Sequence, residues 1–75
     1  MDLNTNATNM YKPKKRTWLK VMRTEKEMNQ KDVAQACGIN QTRYSYIERG
    51  IMLPDESAAK SLAAFFGFDW TIFYK

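Results

Sequence analysis

Gln41, Thr42, Ser45, Tyr46 and Arg49 put two hydroxyl types, an amide, a phenol and a guanidinium within one short stretch of "NQKDVAQACGINQTRYSYIERG". Amides and hydroxyls both donate and accept hydrogen bonds, whereas a guanidinium only donates. Such a set recognises; it does not catalyse by itself. The rest of the chain supplies no catalytic partner. There is no histidine, which removes the usual general base, every His-dependent triad and most zinc sites. The lone Cys37 has no imidazole to activate it and no second cysteine to pair with. Neither a GxGxxG nor a GxxxxGK[ST] loop occurs, and the eight acids are scattered. The expectation is a protein that is not an enzyme and carries no metal or cofactor.

These side chains need an element that faces them outward. At about 100° per residue, with Ile47 at zero, Tyr44 lies at about 60° on a helix over residues 41–49. Thr42, Ser45 and Arg49 then fall between about 160° and 220°, with Tyr46 at about 260°. Tyr44 and Ile47 would anchor the helix; Thr42, Ser45, Tyr46 and Arg49 would face away, with Gln41 at its first turn. Asn40 is placed to cap this helix, and Gly50 to end it. Before it, Asn29 caps a helix over Gln30 to Cys37, with Asp32 in the first turn. Val33, Ala34 and Cys37 share its inner side. Gly38 then stops that helix in the left-handed conformation and turns the chain.

The remaining segments fit around this pair. A first helix is expected from Thr17, as N-cap, to about Glu27, with Leu19, Met22 and the Lys26 stem on its stripe. Trp18 lies off that stripe and is expected against the last helix or half exposed. A fourth helix begins at Pro54 and Asp55 and reaches about Phe66, turning Ala59, Leu62, Ala63 and Phe66 inward. Asp69 caps a short fifth helix, "WTIFY". Residues 1–11 are polar and read as a mobile tail. "KPKKR", residues 12–16, reads as a short basic arm. The domain division is thus 1–16 as arm and 17–75 as an all-α, five-helix domain. Seventy-five residues suffice for one small core. No apolar run approaches the roughly 20 residues needed to span a bilayer, and the start lacks the apolar region of a secretory signal. A cytoplasmic protein is expected.

The net charge of +4 is unevenly placed. Residues 12–49 hold ten Lys or Arg against four acids; the flanking segments are slightly acidic. A one-sided basic field suits a polyanion, though charge alone fits an ordinary solvated surface equally well.

Two short helices around a glycine turn match a helix-turn-helix, and the residues make the resemblance specific. Counting Gln30 as first, the small fifth residue is Ala34 and the ninth is Gly38. The apolar fourth, eighth, tenth, fifteenth and eighteenth are Val33, Cys37, Ile39, Tyr44 and Ile47. "IERG", a proline four residues past Gly50 and "LAAFFGFDWTIF" complete it. The stretch 17–74 resembles the Cro/repressor type of helix-turn-helix, the Xre family. "GFDWTIFY" is similar to the ending of short regulators from prophages and mobile elements of Gram-positive bacteria.

The resemblance implies a lambda-repressor-like fold and a sequence-specific DNA-binding transcriptional regulator, a Cro-like repressor. Its third helix would enter the major groove of a double-stranded operator, with Gln41, Thr42, Arg43 and Tyr46 at base edges. Gln30, Lys31, Asn40, Ser45 and Arg49 would touch phosphates, as would Lys14, Lys15 and Arg16 of the arm together with Lys12. Arg23 and Glu48 would form a buried pair, and Cys37 an inert core position. A homodimer on a two-fold site is implied, with no small-molecule effector. One departure stands out: where the family usually has Lys, Arg or Asn after Gly50, this chain has Ile51, Met52 and Leu53. That loop offers few side-chain phosphate contacts and suits a protein contact instead. Two alternatives follow: a restriction controller or autoregulating antitoxin, and a protein-binding module that keeps the fold.

Overall fold

Each α-helix among the described residues ends with the same left-handed reversal. The computed structural model describes residues 14–75; the polar tail 1–11 and Lys12 and Pro13 of the arm lie outside the described residues. The elements are α1 (Thr17–Glu25), α2 (Gln30–Cys37), α3 (Gln41–Glu48), α4 (Glu56–Phe66) and a closing 3₁₀ helix (Trp70–Tyr74). There is no strand among the described residues. At the end of each α-helix an N–H reaches five residues back. Met28 donates to the Arg23 carbonyl (3.3 Å), Ile39 to Ala34 (2.8 Å), Ile51 to Tyr46 (2.8 Å) and Phe68 to Ala63 (3.0 Å). This closure satisfies carbonyls that a helix end would orphan, and the apolar donor residue pins the turn to the body of the protein.

The residue before each donor has positive φ: glycine at three corners, but Glu27 (φ 57°) after α1. This corner shortens the first helix, which stops at Glu25 rather than at the expected Glu27. Arg23 reinforces it by donating from Nη1 to the Met28 carbonyl at 2.9 Å. The fifth expected helix forms as a 3₁₀ helix. Asp69 Oδ1 accepts from both the backbone N–H (3.0 Å) and the hydroxyl (2.8 Å) of Thr71, which winds the turn tightly.

N-caps follow the side-chain chemistry. Asn29 and Asp32 form a reciprocal capping box on α2. Asn40 accepts from the Arg43 N–H on α3, and Asp55 from the Ala58 N–H on α4. At α1 the cap position belongs to Arg16 and not to Thr17, and no side chain caps it.

The core gathers Leu19, Val33, Ala34, Tyr44, Ile47, Ala59, Leu62 and Phe73. Each fully buried Leu, Ile or Val contributes about 1.5–3 kcal/mol. Trp18 packs edge-on against Phe68 (5.2 Å) and tilted against Phe73 (5.5 Å), so α1 and the chain end close the core together. Lys26 lays its stem toward Phe65, with Nζ 5.2 Å from the ring centre. Cys37 is half-buried at the core edge, and burial raises its thiol above the ordinary value. No helix among the described residues is long and apolar enough to cross a membrane, and no group of three His, Cys, Asp or Glu there could hold a metal.

Two of the glycine corners differ in their surroundings. A Cβ at Gly38 would meet nothing within 4 Å, whereas a Cβ at Gly50 would run into the backbone carbonyl of Lys14. Gly38→Ala should therefore cost only the left-handed conformation, about 1–2 kcal/mol. Gly50→Ala should cost clearly more, because the segment leading into α1 must also move. Urea denaturation of the two variants measures the difference; equal losses would show that Lys14 does not pack on Gly50.

Candidate nucleic-acid interface

The α2–turn–α3 unit is held from behind by residues that water does not reach. Tyr44 and Ile47 of α3 are 0% exposed, as is Val33 of α2. With that side fixed, Gln41, Thr42, Tyr46 and Arg49 stand exposed on the opposite side of α3, and Ser45 is half-buried. The Arg49 guanidinium lies 5.4 Å from the Tyr46 ring centre, a cation–π contact that holds two outward side chains side by side. Lys31 is exposed at the first turn of α2, and Lys14 and Lys15 are exposed before α1.

Behind this face sits a carboxylate with four donors. Glu48, 5% exposed, accepts from Arg23 Nε at 2.7 Å and from Arg23 Nη2 at 3.1 Å. It accepts also from Gln30 Nε2 at 2.8 Å and from Tyr44 Oη at 2.8 Å. Arg23 and Glu48, the pair suggested by sequence, thus meet in a two-pronged contact that joins α1 to α3. Burial alone would push the Glu48 carboxyl up; the hydrogen bonds from Arg23, Gln30 and Tyr44 outweigh it and hold the group below its ordinary value. Burial, then the neighbouring Glu48, raises the Tyr44 hydroxyl, which therefore stays a donor.

One assignment from sequence is corrected by this geometry, and three other residues have partners within the fold. Arg16, expected on a phosphate, is 7% exposed. Its Nη1 donates to the carbonyls of Ile47 and Met52, its backbone N–H donates to the Glu48 carbonyl at 3.0 Å, and its guanidinium lies 5.3 Å from the Phe73 ring centre. It closes the C-terminal end of α3, where a cation also suits the helix dipole, so the last residue of the expected arm is part of the fold. Arg43, expected at a base or phosphate, pairs with Asp55 at 2.9 Å. Both partners are largely exposed, and such a pair is weak enough to open. Gln30 turns one amide hydrogen inward to Glu48, and beside it the Asn29–Asp32 capping box engages the backbone N–H groups of Asn29 and Asp32. Asn40 likewise spends its side-chain carbonyl on the cap of α3.

Sequence reasoning missed the Tyr44–Glu48 bond, although the two stand four residues apart on one helix, where side chains meet. Nothing local foretold the Arg16 contacts, which join residues 31 and 36 positions apart.

The arrangement has counterparts among known proteins. A family model described as Helix-turn-helix matches residues 19–73. The chain is 42% identical over 60 residues to the uncharacterized HTH-type transcriptional regulator YqaF of Bacillus subtilis (strain 168), a match covering 80% of this chain and 79% of that protein. No solved structure matches.

Removing Glu48 strands Arg23 and the Tyr44 hydroxyl, whereas removing the hydroxyl leaves the carboxylate its other donors. Glu48→Ala should lose about 3–5 kcal/mol and Tyr44→Phe about half as much, read from chemical denaturation at neutral pH. The pH dependence has a definite sign. Glu48 sits below its ordinary value of 4.5 in the folded chain, so the unfolded chain binds the extra proton in acid. Its contribution is complete well above pH 4.5 and fades as the pH falls through the lower folded value. The gap in stability between wild type and Glu48→Ala should shrink on acidification; a constant gap would mean the carboxylate is not held ionised.

Proposed function

Because the chain belongs to the helix-turn-helix family, we propose that it is a DNA-binding transcription regulator, a Cro-like repressor that reads double-stranded operator DNA in the cytoplasm. The observation that carries this reading is the division of α3, with Tyr44 and Ile47 fully buried and Gln41, Thr42 and Tyr46 exposed. An α-helix fits the major groove, where amides and hydroxyls distinguish base edges. Gln41 pairs with adenine through its amide, Thr42 offers a methyl and a hydroxyl, and the Tyr46 ring packs on a thymine methyl. Arg43 reaches a guanine or a phosphate once it leaves Asp55. Gln30, Lys31, Asn40, Ser45 and Arg49 contact phosphates, with Lys14 and Lys15 from the segment before α1.

The protein acts as a homodimer on a two-fold site with half-sites about one helical turn apart, and without a small-molecule effector. A repressor of this size works by occupying a promoter, which suits the short regulators of prophages and mobile elements that the sequence resembles. A second reading has its own support: Ile51, Leu53, Ile72 and Tyr74 are exposed apolar side chains, which suits a protein-binding module.

Selection of bound sequences from a random DNA pool tests both. An enriched palindrome is expected. Thr42→Ala with Tyr46→Ala should reduce affinity for it by about 5- to 150-fold per lost contact, toward the affinity for unrelated duplex, with unchanged thermal melting. Wild-type affinity in the double variant would overturn the assignment of α3 and favour the protein-binding module.

A further inference from the structure

Two of the outward side chains of α3 lean on each other. The Arg49 guanidinium lies 5.4 Å from the centre of the Tyr46 ring. Residues at this spacing are neighbours on one side of a helix. Helical side chains tilt toward the N-terminus, which carries Arg49 back over the turn that holds Tyr46. Both backbones are fixed. The Tyr46 carbonyl accepts from the N–H groups of Ile51 (2.8 Å) and Met52 (3.3 Å), and the Arg49 N–H donates to the Ser45 carbonyl at 2.9 Å. What the backbone leaves undetermined is the Tyr46 side chain, for the residue is 39% exposed. An aromatic side chain this open divides itself among its helical rotamers. A guanidinium on its face favours one of them by about 2- to 5-fold.

A stacked guanidinium spends its face and keeps its edges. The described ion pairs use Arg23, Arg43 and Lys60, so among the described residues no carboxylate engages Arg49. Its edge N–H groups can hold a phosphate while its flat side stays on the ring. The ring itself presents apolar surface beside the exposed Thr42. In the major groove the apolar feature of a base pair is the 5-methyl group of thymine. Methylated cytosine carries the same group at the same place, and the face of a ring does not sort the thymine O4 from the cytosine N4. A ring fixed before binding spends less of that contact on its own ordering.

On the reading of the chain as a DNA-binding regulator, on which this inference rests, we propose that Tyr46 and Arg49 together read the 5-methyl group of a pyrimidine. Tyr46 makes the contact, and Arg49 is its positioning residue. The site takes 5-methylcytosine in place of thymine, so methylation of a cytosine at that place in an operator strengthens binding.

The test is binding, by fluorescence anisotropy, to the selected operator with each half-site thymine replaced in turn by deoxyuridine. The thymine so identified is then replaced by cytosine and by 5-methylcytosine, each opposite guanine. The members of each pair differ by one methyl group, so phosphate contacts cancel in their ratio. Wild type, Arg49→Gln, Tyr46→Ala and the combined variant are compared. Both residues are exposed, so all should melt as wild type does. Wild type should prefer the methylated member of each pair by about fourfold per half-site. Arg49→Gln and Tyr46→Ala should each bring the ratio down to about 1- to 2-fold, and the combined variant should go no lower than Tyr46→Ala alone. The proposal is overturned if Arg49→Gln weakens both members alike and keeps the ratio, since Arg49 then only holds a phosphate. It is overturned too if Tyr46→Ala keeps the ratio, or if wild type prefers thymine over deoxyuridine but not 5-methylcytosine over cytosine. A wild-type protein that binds no duplex overturns the functional reading itself. A wild type that binds its operator with no preference for a methyl group overturns only this reader.

Discussion

A carboxylate taken out of water must be given donors in return, and three helices of this protein are arranged to supply them. Glu48 receives Arg23 from α1, Gln30 from α2 and Tyr44 from its own helix, α3. Burying a charge without partners costs several kcal/mol, so the cheap arrangement is the one in which all three helices are docked together. Apolar contact alone would tolerate many rotations of α3 about its axis. Four donors converging on two oxygens tolerate very few. The outward direction of Thr42 and Tyr46 is set by this constraint as much as by the buried Tyr44 and Ile47.

Arg16 completes the frame from the other side. It binds the carbonyls at the end of α3 and reaches into the following loop at Met52, so the last turn of the helix and the loop are held by a residue from before α1. In a domain this small, where the core is limited, polar contacts between elements distant in sequence do much of the positioning. Charge is sorted along with them: the described ion pairs neutralise Glu48, Asp55 and Glu56, while Lys14, Lys15 and Lys20 around the start of α1 are exposed.

Much of the fold was legible because its signals are local. Asn29 with Asp32, Asn40, and Gly38 between them mark the ends of α2 and α3, and a cap acts within a single turn. The apolar period placed Leu19, Val33, Tyr44, Ile47 and Leu62 in the core. The end of α1 was misjudged because its reversal is made by Glu27, a residue with no preference for positive φ, held there by Arg23 and Met28. Arg16 was misjudged for a related reason: "KPKKR" looks like uniform surface charge, and only the assembled fold reveals that its last member is buried. Gln30 was placed correctly at the head of α2, but its direction depends on Glu48, a partner eighteen residues away.

The outward side chains of α3 stand apart from all this bracing. Gln41, Thr42 and Tyr46 carry none of the side-chain hydrogen bonds that join the helices; those run through Arg16, Arg23, Gln30, Tyr44 and Glu48. The outward face of α3 and the contacts that keep its shape therefore use different residues of the same short helix. A lineage of such chains can change the residues of that outward face one at a time while inheriting the scaffold intact.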